Sequence, residues 1–340
     1  MRNAVIGAVV LVAIGAGGWI WGESRLAEGA RAWIAEDPAL AAEAVQPLRN
    51  AGRFGLRLSK PQLSDPALQL SLPWAEAWVS PLTPTTARLD LPQQGQLVLA
   101  GQAHDLTLSS SDAMLRLAPL NRMAPDRLTL VAQGLALDGQ PLADSISVEA
   151  RLGRLAGSAP MEARTAYDID LSAAGVQLQV LARAGFDAGP LPDPVAVDGQ
   201  LRLWLDRTPE AGEAPPAIVG WQTPGLVLEA GPIQVRVVGR VTRDADGLAE
   251  GQVVLYSRDA DRMLDLASEM GLIPGQVRLL LRAGLAQLAQ VTPEADLHGP
   301  AYPEPQEGEL RLPILMRDGQ LILAGVPVGP APAFAGQDVR

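Results

Sequence analysis

The chain has 340 residues, with 38 acidic against 27 basic side chains, a net charge of -11, no cysteine and 4% aromatic residues. Such acidity argues against nucleic acid and against lying flat on an anionic bilayer, since both require clustered Lys and Arg. Without thiols there are no disulfides, iron–sulfur clusters or thiolate zinc sites, and the single lysine, Lys60, leaves Schiff-base and P-loop chemistry almost without candidates.

Residues 4–21 carry no charge. As a helix this run would span about 27 Å, close to the hydrocarbon thickness of a bilayer. The sequence predicts a transmembrane signal-anchor over residues 1–23. Arg2 places its short end in the cytoplasm, and Trp19 and Trp21 stand where tryptophan prefers the membrane interface. A cleaved signal peptide is the alternative, although its apolar region is usually about 7 to 15 residues. On either reading the body is exported, which in a bacterium means the periplasmic side of the inner membrane. The lipid bilayer is then the first partner.

Residues 24–52 read as a helical stalk. Leu26, Ala30, Trp33 and Ile34 recur at helical spacing. Asp37-Pro38 offers an N-cap and a first-turn proline for a second helix through Ala41, Ala44, Val45 and Leu48, with Gly52 as its stop.

From Phe54 the period changes from 3.6 to 2. Leu56-Arg57-Leu58, Leu68-Gln69-Leu70, Arg88-Leu89-Asp90-Leu91, Gln96-Leu97-Val98-Leu99 and Met114-Leu115-Arg116-Leu117 alternate like half-buried strands. Arg127 to Val131, Ile146 to Leu152 and Val176 to Val180 continue the series. Residues 53–190 are thus expected to form a first β-meander region. The turn-rich stretch 185–199 separates it from a second β-rich region, residues 191–340. There strands are expected around Leu203, Leu228, Val235, Val254, Leu312 and Leu323, with helices near 260–290. Asp259 would cap the first of these helices, through Met263, Leu264 and Ala267. Pro274 would open the second, through Leu281 and Leu288, and the two would form an αα-hairpin on the sheet.

A short pattern, Gly-Gln followed by Leu or Val, any residue and Leu, recurs at Gly95, Gly199, Gly251 and Gly319. Asp198-Gly199 and Asp318-Gly319 read as hairpin turns.

Candidate chemistry is sparse. His104 and His298 stand far apart beside turn residues and are expected at the surface. Asp244-Ala245-Asp246-Gly247 resembles part of a calcium loop but lacks the later ligands, so a hairpin turn accounts for it better. Asp259, Asp261, Asp265 and Glu269 suit a solvated helix face. The most distinctive local feature is Pro73-Trp74-Ala75-Glu76-Ala77-Trp78. In a strand Trp74, Glu76 and Trp78 share one face, either lining a ligand groove or belonging to the core. No catalytic, cofactor-binding or metal-binding residues are assigned.

Taken in succession, several stretches resemble the bacterial domain-of-unknown-function family numbered 2125. They are the amino-terminal span, residues 52–58, Pro61-Gln62-Leu63-Ser64-Asp65-Pro66 leading to Trp74, Leu117-Ala118-Pro119, Arg317-Asp318-Gly319-Gln320-Leu321 and residues 326–332. Where such proteins tend to have Gly-Phe-Pro, this chain reads Arg53-Phe54-Gly55. The resemblance carries no activity and hence no functional residues. More loosely, an anchor followed by many amphipathic strands is similar to AsmA-type envelope proteins, which implies lipid handling.

The expected fold is α+β and predominantly β: large antiparallel curved sheet with an amino-terminal transmembrane helix, a helical stalk and a late αα-hairpin. The expected function ranks binding of lipid or another hydrophobic ligand on an apolar sheet face first. An envelope protein–protein interaction or assembly role comes second and a hydrolase third, so the protein is read as a non-enzyme with no cofactor and no nucleic-acid partner.

Overall fold

Alternation in the sequence becomes antiparallel pairing in the computed structural model, and the chain divides into two compact units. The structure describes residues 23–340 except 51, 66–67, 122, 187–188, 211–215, 270–278, 280–281, 283–290, 295, 297, 324 and 335–340. The first unit comprises Met1–Leu152, Ala173–Asp187 and Pro209–Pro215; the second comprises Gly153–Ser172, Ala188–Thr208 and Pro216–Arg340.

The first unit opens with helix α1 (Glu23–Glu36) and strands β1 (Leu40–Ala41), β2 (Ala44–Pro47), β3 (Phe54–Ser59), β4 (Gln62–Ser64) and β5 (Leu68–Ser71). It continues through β6 (Trp74–Ser80), β7 (Thr83–Asp90), β8 (Gln94–Leu99), β9 (Gln102–Thr107), β10 (Ser110–Ala118), β11 (Ala124–Leu137) and β12 (Gln140–Gly153). Two arms of sheet diverge from β11. One runs β10, β7, β6, β3, β2, and the other runs β9, β8, β5, β4, β1. The arms are halves of the same bent strands, because β3 continues into β4 through Lys60-Pro61 and β5 into β6 through Leu72-Pro73. Backbone bonds carry the ladder across that bend, from Lys60 N–H to the Pro73 carbonyl at 3.1 Å and from Leu72 N–H to Pro61 at 3.0 Å. Proline cannot donate to a ladder, and Lys60 has a φ of 44°, so the sheet turns a corner there.

Helix α1 does not stand apart as a stalk. Leu26, Ala27 and Ala30 are buried against Val45 and Leu56. The second expected helix does not form: residues 40–41 and 44–47 are strands, with Val45 opposite Leu58 and Pro47 opposite Leu56. Pro47 lacks the N–H a helix interior needs, whereas an edge strand tolerates it. Asp37 ends the first helix rather than starting a second, its Oδ1 accepting the Ala39 N–H at 2.9 Å. Beyond Val176, which ends a strand, residues 177–180 also differ from expectation. Helix α2 (Leu178–Arg183) replaces the strand, since Val180 and Leu181 pack on Leu99, Leu137 and Ala184.

In the second unit, part of β13 (Thr165–Val176) is followed by β14 (Val195–Leu205), β15 (Ile218–Ala230), β16 (Ile233–Arg243) and β17 (Ala249–Ser257). Helix α3 (Ala260–Glu269) precedes β18 (Leu310–Arg317), β19 (Gln320–Leu323) and β20 (Val326–Pro330). From β14 to β20 each strand pairs with the next, a plain meander. Asp318-Gly319 does form a turn, with φ of 51° and 70°. Asp198-Gly199 does not: it lies within β14, where a Cβ at Gly199 would come 2.5 Å from the Gly225 carbonyl oxygen. That glycine serves the close approach of two strands, not a turn.

The first helix of the late αα-hairpin is α3, with Met263 and Leu264 buried on Leu312 and Leu323. Its partner falls on residues described only at Leu279 and Arg282, both helical, and Arg282 Nε lies 3.0 Å from Asp261. The apolar run 4–21, with Trp19 and Trp21, lies outside the described residues. Among the described residues no helix is long and apolar enough to cross a membrane.

Candidate functional site

Residues directly opposed across strands share a face, and successive residues alternate faces. In the second unit this separates two neighbouring rows of opposite character. Leu203, Trp221, Val241, Gly251 and Met316 oppose one another in turn from β14 to β18. One residue along, Arg202, Gln222, Arg240, Gln252 and Leu315 do the same on the other face.

The polar face is overlaid by irregular segments. Arg240 Nε donates to the Ser158 carbonyl at 2.9 Å and lies over the Trp204 ring at 5.5 Å, with Asp296 at 3.8 Å from its Nη1. Gln252 exchanges bonds with the Glu294 backbone, and Tyr256 donates to the Pro303 carbonyl at 2.8 Å. Arg236 pairs with Glu309 at 2.9 Å and sits 4.2 Å from the Tyr256 ring centroid. Burial raises the Tyr256 hydroxyl above its ordinary pKa, opposed by the nearby Arg311 and Arg236 charges. Arg202 grips Asp168 with two hydrogen bonds, of 2.7 and 3.0 Å, and this pairing raises the guanidinium pKa. Its charges are thus matched internally.

The apolar face is covered only in part. Helix α3 closes it over β18 and β19. The segment Ala331 to Phe334 closes it over Val241, Ala249, Val253 and Met316. That segment is held by the Ala331 N–H on the Gly319 carbonyl and the Phe334 N–H on Gly247, both at 2.8 Å. Between this strap and the β14–β15 end of the sheet lies an open hollow of about 440 Å³. Its floor is Leu201, Leu203, Ile218, Trp221, Leu226 and Val241, and Ala249, Met316, Pro332, Ala333 and Phe334 complete it. Apart from the Trp221 indole, no lining side chain among the described residues has a nitrogen or oxygen atom.

Trp74 and Trp78 do share a face of β6 with Glu76, while Ala75 and Val79 are buried on the other. Neither tryptophan lines the hollow. Arginines occupy their rings: Arg53 lies 4.4 Å from the Trp78 centroid and Arg57 5.3 Å from that of Trp74. Arg57 also meets Glu76 at 2.9 Å, and the Trp78 indole N–H donates to Asp90 at 3.0 Å.

His104 is not a surface residue, since its side chain is 11% exposed. Its Nδ1 meets Asp138 Oδ2 at 2.7 Å, and this bond chiefly lowers the Asp138 pKa. The pair resembles the His–carboxylate half of a catalytic triad, but His104 Nε2 is buried without a hydrogen-bond partner, so no hydroxyl is presented to it. His298 is exposed in the other unit, its N–H on Asp296. Asp244 to Gly247 forms the β16–β17 turn, with Asp244 Oδ1 accepting two backbone N–H groups at 2.9 and 2.7 Å. Among the described residues no group of three His, Asp or Glu side chains is placed to hold a metal.

The sequence marks Leu201 to Leu205 as a strand but not as a site. The signal was present, an apolar alternation with no polar break on one face, yet it is shared by every half-buried strand. Which strands are left uncovered depends on where α3 and the strap lie.

The model of the family described as "Uncharacterized protein conserved in bacteria (DUF2125)" matches residues 19–332, and the chain belongs to that family. No curated protein and no solved structure matches it.

Proposed function

We propose that this member of the DUF2125 family is a membrane-anchored envelope protein that binds the apolar chains of lipids without acting on them chemically. One observation carries the reading: the open hollow of about 440 Å³ on the second unit's sheet, lined by described side chains that offer a ligand dispersion contacts and, apart from the Trp221 indole N–H, no hydrogen bonds. Ligand cavities usually combine apolar walls with a few fixed polar groups that orient the ligand, over volumes of about 300 to 1,000 Å³. A lining this poor in polar groups suits an acyl chain and would reject a polar metabolite, whose groups would lose their hydrogen bonds to water. Among the described residues no Ser, His, Asp or Glu lines the hollow, which supports binding rather than hydrolysis. Anchoring by residues 4–21, with Trp19 and Trp21 at the interface and the body on the periplasmic side, completes the proposal.

The test is lipid retention by the full-length chain purified from membranes, read by mass spectrometry of the extracted complex. Leu203→Asp should cut retained lipid at least fivefold relative to wild type. Absence of lipid from the wild-type protein, or equal retention by the variant, would overturn the reading.

A second reading, protein–protein assembly in the envelope, draws on the Trp74–Trp78 face, because tryptophan and arginine are the residues most enriched at interface centres. Crosslinking that recovers only the monomer would count against it.

A further inference from the structure

We infer that the first unit holds a second site of different chemistry: a cleft for the tail of a fatty carboxylate, with Arg31 as the cation for its head. It rests on the same reading of the protein as a binder of apolar chains, at a separate place and with an added polar requirement.

The cleft opens where the arms of the bent sheet part. The β6–β7 ladder ends at Glu76 opposite Asp90, and the β5–β8 ladder begins at Ser71 opposite Gln96. The intervening strands are unpaired to each other. Leu70, Leu72, Leu89 and Leu91 face the resulting cavity of about 200 Å³ together with Trp33 and Ile34 of α1. All four leucines are only half-buried. In a filled interior leucine is among the most completely buried residues, and an unfilled gap forfeits dispersion contacts on its open side. The volume is below that usual for drug-sized ligands, which fits part of a single tail and leaves no room for a second.

The polar end lies beside it. An open hollow of about 690 Å³ shares Ile34, Leu40 and Ala41 with the cleft and adds Arg31, Asp37 and Glu43. Arg31 and Ile34 are one turn apart, hence on the same side of α1. Arg31 donates one N–H to the Val45 carbonyl at 2.7 Å, and among the described residues no carboxylate lies within ion-pair distance of it. By contrast, Glu43 is taken by Lys60 at 2.9 Å, and Asp37 accepts the Ala39 N–H.

A guanidinium presents a planar fork that a carboxylate fills with two parallel hydrogen bonds. Local charge favours a monoanion. Arg31 and Lys60 balance Asp37 and Glu43, so a carboxylate head leaves one surplus negative charge. A phosphate monoester would bring about -1.5 to -2 beside the same two acids.

The experiment is photolabelling of the full-length chain with palmitic acid carrying a diazirine on its tail, and with the methyl ester of the same probe, crosslinks being mapped by tandem mass spectrometry. The acid should label residues around Leu63, Leu70 and Leu89. Arg31→Gln should reduce that labelling about tenfold, the weight of one charge-assisted contact, and leave labelling around Leu203 and Trp221 unchanged. The ester should label the cleft weakly in both proteins. Leu70→Trp, checked by its melting curve to be folded, should block the cleft with Arg31 intact. Equal labelling of the cleft by acid and ester, or no response to Arg31→Gln, overturns the assignment of Arg31 and with it the site. Labelling confined to Leu203 and Trp221 overturns the second site while leaving the proposed function in place. Labelling at neither place overturns both.

Discussion

Trp204 lies across Gly220 on the neighbouring strand, and a Cβ at Gly220 would stand 2.9 Å from atom Cε3 of the indole. Trp204 is fully buried, with Ala163, Ala166 and Val219 packed around it. The glycine is therefore a seat for the ring. Gly220→Ala should destabilise the protein by about 1–3 kcal/mol, the usual cost of overpacking a filled core. Thermal melting followed by circular dichroism would show the loss. A rise in Tm would mean the ring is free to shift.

The Arg202–Asp168 pair is half-exposed, with side-chain accessibilities of 30% and 45%. Solvent screening therefore limits its worth despite two good hydrogen bonds. A double-mutant cycle with Arg202→Met and Asp168→Ala should give a coupling of no more than about 1 kcal/mol. A coupling of several kcal/mol would show that the overlying segments exclude water more fully than the accessibilities indicate.

Asp138 gives a pH prediction. Its carboxyl pKa is lowered from 3.8, first by the hydrogen bond to His104 and next by that from the Asp105 N–H. A carboxyl pKa depressed on folding adds stability that is fully present above the unfolded value and is lost as pH falls through the folded value. The contribution should thus be intact at pH 7 and fade below about pH 4. Asp138→Asn keeps the turn, since asparagine tolerates the φ of 49° found there. The gap in urea midpoint between wild type and Asp138→Asn should narrow from pH 7 to pH 3. A constant gap would assign the effect to the turn rather than to ionisation.

Trp78→Phe should cost about 1 kcal/mol through loss of the indole hydrogen bond to Asp90. It should leave lipid retention unaltered, because Trp78 is not part of either apolar cavity lining. A parallel fall in lipid retention would restore the Trp74–Trp78 face as a ligand groove.

The period-2 alternation from Phe54 onward determined by itself that this chain builds antiparallel sheet, because one apolar residue in two can be buried only by a pleated strand. Asp318-Gly319 likewise specified its own turn, since both residues tolerate positive φ. Local sequence could not say that residues 44–47 would be a strand. Ala41, Ala44, Val45 and Leu48 also fit a helical stripe, and only the free edge of β3, offering hydrogen bonds from Leu56 to Ser59, decided between them. The same holds for Gly199, whose Asp-Gly signal yielded to the close approach of β15.

The candidate sites depended still more on tertiary structure. Alternation told which side chains of β14 and β15 share a face, but not that Leu201 and Leu203 would stay uncovered. That followed from where α3 and the Ala331–Phe334 strap settle, elements more than fifty and more than a hundred positions further along the chain. Sequence thus set the faces of the sheet. Long-range packing decided which parts of them were left open.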